Sequence, residues 1–183
     1  MLWFAHQLRQ ENAAGCPCDA TPFDRPGGPR PMRIALYQPD IPQNTGTILR
    51  LAACLGVAVD LIGPAGFDST DRGLKRAGLD YLQHVQLERY ISWERFLVER
   101  LPGRLVLLST AAVTSFVDFR YRRDDVLLFG RETAGVPPHV HAAADARLRV
   151  PMRSGLRSLN IAVAAAMVVG EALRQTDGFA RLS

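Results

Sequence analysis

The sequence predicts an α/β domain, a parallel sheet with helices on both faces. Three observations carry this. From residue 33 onward, short β-type runs alternate with helical patterns, the signature of strands joined by crossover helices. Three of the runs, Val59-Asp60-Leu61-Ile62, Leu105-Val106-Leu107-Leu108 and Val126-Leu127-Leu128-Phe129, are mostly continuous in apolar character. That is the pattern of strands covered on both faces, not of half-solvated ones. No internal repeat and no second domain interrupt the alternation, and 183 residues suffice for one domain with a sizeable core.

In chain order, residues 1–31 differ from the rest. Asn12-Ala13-Ala14-Gly15 and Arg25-Pro26-Gly27-Gly28-Pro29-Arg30-Pro31 have no periodicity and are rich in breakers, so they read as a flexible arm. Met32 stands directly before the first strand and is a candidate start of the biological chain. The β-type runs are 34–37, 57–62, 84–87, 105–108, 126–129 and 148–150. The helical patterns are 45–55, a short one at 74–77, 93–100, 138–144 and 159–174. Between the first run and the first helix lies Gln38-Pro39-Asp40-Ile41-Pro42-Gln43-Asn44-Thr45-Gly46. Its prolines keep the chain extended and donate no hydrogen bonds. Asn44 or Thr45 is the expected N-cap. Gly46 and Arg50, four residues apart, are expected on one stripe, with the arginine facing a bare patch. The last helix has no polar side chain from Ile161 to Val169. An outer helix should keep a polar face, so this one needs a cover on its far side. A partner subunit is the expected cover, and a loop of the same chain the alternative.

Composition narrows the function. Net charge is +4 and the isoelectric point about 9.3, which permits an acidic partner such as RNA without demanding one. Cys16 and Cys18 are too close for an ordinary structural bridge, and Cys54 lies in a helical pattern; no disulfide framework is implied. No second cysteine pair or histidine cluster completes a metal site around Cys16-Pro17-Cys18, so no metal is expected. The longest apolar run, 161–170, is about half the ~20 residues of a membrane span, and residues 1–6 lack a secretory leader; the cytoplasm is the expected location. There is no G-x-G-x-x-G after a strand, no G-x-x-x-x-G-K-[ST] loop, no H-E-x-x-H and no Ser-His-Asp order. His139 and His141 flank a proline-rich loop and are expected to be exposed.

Three loops remain, each at the C-terminal end of a β-type run: the turn at 44–50, the stretch 128–137 (Leu-Phe-Gly-Arg-Glu-Thr-Ala-Gly-Val-Pro) and the stretch 150–160 (Val-Pro-Met-Arg-Ser-Gly-Leu-Arg-Ser-Leu-Asn). Ligands of open α/β sheets bind beyond the carboxyl ends of strands, so the three are placed to converge on one cleft. Gly130 and Gly135 let backbone approach a ligand closely. Ser158 is the expected cap of the final helix.

N-T-G-x-x-x-R after the first strand, L-F-G-x-E-x-x-G-V-P, and V-P-M followed by S-L-N before an apolar helix resemble the three motifs of the SPOUT class of RNA 2′-O-methyltransferases. With Leu74-Lys75-Arg76-Ala77-Gly78-Leu79-Asp80-Tyr81, and no added RNA-binding domain, the chain is most similar to the TrmL-type branch. The resemblance runs from about residue 32 to 178, which makes that stretch the methyltransferase domain and 179–183 a tail. It implies an α/β fold whose C-terminal segment forms a deep trefoil knot, an obligate homodimer, and S-adenosylmethionine as methyl donor. It implies 2′-O-methylation of the wobble cytidine or carboxymethylaminomethyluridine in tRNA leucine isoacceptors. Carried over by motif, the cofactor contacts fall at Leu108, Gly130, Val150 and Ser158, with Leu159 also framing the adenine.

The catalytic residues so implied are Arg50, Asn44 and Asn160. Arginine normally stays protonated, so Arg50 is expected to stabilise developing alkoxide and anchor phosphate instead of acting as a base. Asn44 and Asn160 suit orientation of the ribose or of Arg50. Glu132 is expected to hold a loop. Arg153, Arg157, Lys75 and Arg76 are candidate contacts to tRNA phosphates. Two places depart from the branch's pattern: Arg131 stands where a proline or small residue is commoner, and the last helix reads N-I-A-V-A-A-A where some relatives keep serine and asparagine after the S-x-N element. Methylation of another tRNA position or of ribosomal RNA, and a noncatalytic RNA-binding module, are the competing readings.

Overall fold

The computed structural model describes residues 31–68 and 81–182. Among these residues seven strands form one sheet: β1 (Arg33–Tyr37), β2 (Ala58–Ile62), β3 (Leu87–Tyr90), β4 (Leu105–Leu108), β5 (Thr114–Ser115), β6 (Val126–Phe129) and β7 (Ala146–Arg149). Their order is β3-β2-β1-β6-β4-β7-β5, and every adjacent pair is parallel. Among the described residues the α-helices are α1 (Pro42–Leu55), α2 (Trp93–Glu99), α3 (Pro138–Ala143) and α4 (Ile161–Gln175). None is long and apolar enough to cross a membrane.

Alternation along the central strands builds two cores. Ile34 and Leu36 of β1, Val106 of β4, and Leu127 and Phe129 of β6 pack with Ile48, Leu49 and Ala52 of α1 and Ala165, Val168 and Val169 of α4. The intervening residues Ala35, Tyr37, Leu105, Leu107, Val126 and Leu128 pack on the other face with Trp93 and Phe96 of α2 and Val140 of α3. Both faces of each central strand are therefore apolar, which is why the sequence runs are continuous. Two charged pairs sit within this frame. Arg33 reaches across to Asp60 with Nε–Oδ2 2.9 Å and Nη2–Oδ1 2.5 Å, and both residues are buried. Burial works against the Arg33 charge, but the Asp60 carboxylate outweighs it and raises the arginine's pKa. Arg104 grips the buried Asp125 at 2.8 Å through both Nε and Nη2.

Several expected elements shift. The run expected at 84–87 is split: Leu82–His84 is a 3-10 turn and the strand begins at Leu87, where β2 supplies a partner in register (Val59 opposite Leu87). The strand expected at 148–150 is Ala146–Arg149, because β4 pairs from Ala146 onward. β5, two residues long, has no apolar run to mark it in the sequence; it exists through pairing with the outer edge of β7. The first helix begins at Pro42, not 45. Its N-cap is Ile41, whose apolar side chain has no acceptor to offer the first turn; proline at the first helical position presets φ for the helix and has no N–H to leave unpaired. Asn44 and Thr45 are thus inside the helix. Gly46 is buried whereas Arg50 is exposed, so the two do not share a bare stripe: Arg50 lies on the outward side. The final helix begins at Ile161, and its cap is Asn160, not Ser158. The pattern at 74–77 lies outside the described residues.

Candidate active site

A cavity of about 720 Å³ opens beyond the C-terminal ends of β4, β6 and β7. Its apolar wall includes Leu108, Phe129, Val136, Val150, Leu159 and Ile161. Its polar wall includes Asn44, Glu132, Thr133, His141, Ser158 and Asn160. The parallel sheet explains the location: all three loops leave strands at the same end, so segments far apart in sequence share one rim.

A hydrogen-bond chain joins the three loops. Asn160 Oδ1 accepts from the backbone N–H groups of Ala162 (2.8 Å) and Val163 (3.4 Å), capping α4. That cap requires oxygen on the helix side, so the Asn160 amide nitrogen must face away from it. Nδ2 donates to Asn44 Oδ1 at 2.9 Å. Asn44 Nδ2 in turn donates to Glu132 Oε1 at 3.2 Å, and Glu132 Oε2 accepts from the Asp40 backbone N–H at 2.9 Å. The orientation of both amides therefore follows from the helix terminus. Each NH₂ group keeps one hydrogen for a ligand.

The first and second loops are also tied at Asp40. Its Oδ1 accepts from Arg131 Nη2 (2.7 Å) and Nε (3.1 Å), and its Oδ2 accepts from the Thr133 hydroxyl (2.5 Å) and, at 3.4 Å, from the Thr133 N–H. The Arg131 guanidinium and the Thr133 hydroxyl hold the Asp40 carboxyl below its usual range. Arg131 and Gly135 exchange backbone hydrogen bonds of 2.9 and 2.8 Å, making the second loop a tight turn. Gly135 adopts φ +65, and a Cβ on Gly130 would lie 2.6 Å from the Gly135 carbonyl carbon. The close approach requires glycine at 130, and the positive φ favours it at 135.

Of the residues singled out in the sequence, Asn44, Leu108, Gly130, Val150, Ser158 and Asn160 line the cavity. Arg50 does not line it within this chain; its guanidinium lies 4.8 Å from the ring centre of Tyr81. Arg153 and Arg157 are exposed on the third loop, between cavity residues Met152 and Ser158. Lys75 and Arg76 lie outside the described residues. Two participants escaped sequence reasoning. Asp40 belongs to the proline-flanked connection already singled out, and its signal was an acidic side chain in one loop with an unusual arginine, Arg131, in another. His141, expected to be exposed, is half-buried in the cavity wall. Arg147 Nε lies 3.0 Å from its Nδ1, and the guanidinium also donates to its carbonyl.

The chain is similar to known proteins over most of its length. The family model described as the SpoU rRNA Methylase family matches residues 31–170. A protein of Beijerinckia indica named tRNA (cytidine(34)-2'-O)-methyltransferase is 58% identical over 151 residues, covering 81% of this chain and 94% of that protein. A solved structure described under "2-OH methylation of C/U34 on tRNA" has TM-score 0.74 and 45% identity, covering 81% of this chain and 97% of its own. A structure of AdoMet-bound rRNA methyltransferase from Sinorhizobium meliloti has TM-score 0.71 and 27% identity over 82% of this chain and 59% of that one.

Proposed function

The chain belongs to the SpoU methylase family, and on that premise we propose that it transfers a methyl group from S-adenosylmethionine to the ribose 2′-hydroxyl of the wobble nucleotide of tRNA. Cytidine, or carboxymethylaminomethyluridine, in leucine isoacceptors is the target the TrmL-type motifs favour. The observation that carries this is the Asn160–Asn44–Glu132 chain on the wall of a cavity large enough for a nucleoside.

The cavity suits the methyl donor. Leu108, Val150 and Leu159 offer apolar surface to a purine, and Gly135, with open space where a Cβ would stand, leaves the second loop free of side-chain bulk on that side. Glu132 places a carboxylate on the wall, which favours a sulfonium cation. When bound, S-adenosylmethionine supplies an already activated methyl group. The chain's own task is to orient a weak nucleophile and stabilise it as its proton leaves. The remaining amide hydrogens of Asn44 and Asn160 are positioned to hold a sugar oxygen at the cavity wall. Arg153 and Arg157 flank the same rim and serve the phosphates, a contact that makes RNA binding salt-sensitive.

Arg50 enters through a homodimer. α1 and α4 share one layer of the domain. The exposed side of α4 is apolar at Val163 and Met167, and a Cβ on Gly170 would meet nothing within 4 Å. A second copy seated there covers the side chains that a monomer leaves in water. Arg50, exposed on α1 in the same layer, then stands at the junction of two subunits, where its fixed charge stabilises developing alkoxide and anchors the RNA backbone. The trefoil knot finds support in the path of the chain. β7 is paired to β4 on one edge and β5 on the other. The connection from β5 to β6 returns over the end of α4, where Gln175 bonds the backbone of Phe119 and Tyr121. A route from β4 to β6 that passes round the C-terminal segment is the reading these pairings support. We assign residues 32–178 to the catalytic domain, 1–31 to an arm, 179–183 to a tail, and the enzyme to the cytoplasm with its tRNA.

The test is incubation of the protein with isotopically labelled S-adenosylmethionine and tRNA, followed by nucleoside mass spectrometry. Label in the 2′-O-methylated nucleotide at position 34 is expected; label only at another position or in ribosomal RNA would change the substrate. Arg50→Ala is expected to abolish turnover while leaving cofactor binding nearly unchanged, and normal turnover would remove Arg50 from the mechanism.

A further inference from the structure

We propose that Asp40 is a positioning residue for methyl transfer: with Arg131 and Thr133 it forms a clasp that sets the second loop, and through it Glu132 and Asn44. The inference rests on the transfer reading above and adds to it a residue that touches neither RNA nor methyl donor.

Two segments meet at this point from opposite directions. The Asp40 main chain donates to Glu132, while the Asp40 side chain accepts from the residues on either side of Glu132. Glu132 is thus held between two residues gripped by one carboxylate. Its Oε1 is then directed to Asn44, the first amide of the chain that ends at the cap of α4. Without the clasp, Glu132 and Asn44 keep their partners in principle, but the loop is free to sample other arrangements. Reactions governed by alignment are sensitive to such loosening. Asp40 does not line the cavity, so its contribution is indirect. Arg131 does line it and is exposed. The alternative is therefore that Arg131 grips an RNA phosphate and Asp40 merely neighbours it.

Asp40→Asn, Arg131→Gln and the double variant separate the two. For a clasp, each single variant lowers kcat roughly tenfold with KM for tRNA within about twofold, and the double variant is no worse than either single one. Arg131→Lys recovers part of the loss. The clasp is overturned if Asp40→Asn turns over normally. It is also overturned if Arg131→Gln raises KM for tRNA and flattens its salt dependence while Asp40→Asn does neither. Hydrogen exchange of the full chain supplies a reading that needs no turnover. The amides of 131–135 should lose protection about tenfold in Asp40→Asn while those of α4 keep theirs, and unchanged protection at 131–135 would sink the clasp. If wild-type protein transfers no methyl group to tRNA, the functional reading fails and the exchange result decides the clasp by itself.

Discussion

Asn160 performs two tasks with two different atoms, and that allows them to be separated. Its Oδ1 caps α4 by accepting from the N–H groups of Ala162 and Val163, while its Nδ2 donates to Asn44. Replacement by alanine removes both. A lost N-cap costs about 1 kcal/mol, and the exposed amide–amide bond adds about 0.5 kcal/mol. The sum, about 1.5 kcal/mol, corresponds to roughly 3–6 °C in Tm for a domain of this size. Asn160→Asp keeps an oxygen at the cap, now charged and favoured by the helix N-terminus, but has no hydrogen to give Asn44. It should melt within about 2 °C of wild type, since only the weaker bond is lost. Yet its methyl transfer should fall at least roughly tenfold, because the amide chain to Glu132 is broken. Differential scanning calorimetry and a radiolabel transfer assay on the three proteins check this. Full activity in Asn160→Asp would show that the donor is unnecessary. An unchanged Tm in Asn160→Ala would show that the cap contributes nothing.

Other expectations follow from the same geometry. Gly130→Ala forces a Cβ to within 2.6 Å of backbone at Gly135, so the second loop must open; titration calorimetry should find S-adenosylmethionine affinity reduced about tenfold or more, from a distortion of about 1–3 kcal/mol. Asp60→Ala leaves the buried Arg33 guanidinium without its partner and should cost about 3–5 kcal/mol in urea denaturation; a loss below about 1 kcal/mol would contradict burial of that charge. Glu171, held by Arg174 and Gln175, has its pKa lowered to about 2 from an ordinary 4.5. A depressed carboxylate contributes stability that is complete above the ordinary value and lost as pH falls toward the folded one. The Tm gap between wild type and Glu171→Gln should therefore be constant near neutrality and close between pH 4.5 and about 2. Met167→Glu places a charge on the exposed apolar side of α4 and should dissociate the proposed dimer in sedimentation; a wild-type chain that sediments as a monomer would refute the dimer, and an unchanged dimer would move the interface elsewhere.

How much was legible depended on how local the cause was. β4 and β6 fall where the apolar runs Leu105–Leu108 and Val126–Phe129 lie, because strands buried on both faces need apolar side chains at nearly every position. β3 and β5 were harder: one is an edge strand with exposed Glu88 and Arg89, the other only two residues, and both take their limits from a neighbour's register. Helix starts misled for a related reason. Asn44 and Thr45 have the composition of caps, but Pro42 had already begun the turn, and Asn44's amide is committed to Glu132. Among site residues, glycines and asparagines in short motifs drew notice in the sequence. Asp40 with Arg131 did not, since nothing local relates side chains 91 positions apart. His141 likewise acquires its place only where Arg147 of β7 folds back on it.

The amino-acid order alone specified a layered α/β chain, the ends of strands at which a ligand belongs, and the family to which its motifs point. These are consequences of short-range periodicity and turn chemistry, readable within a few residues. Only the folded chain decided that the carboxylate of Glu132 meets Asn44 and Asp40, that the two amides face as they do, and that Arg50 looks outward. Those contacts join strand ends separated by dozens of residues, and parallel pairing brings them together only once the whole sheet has closed.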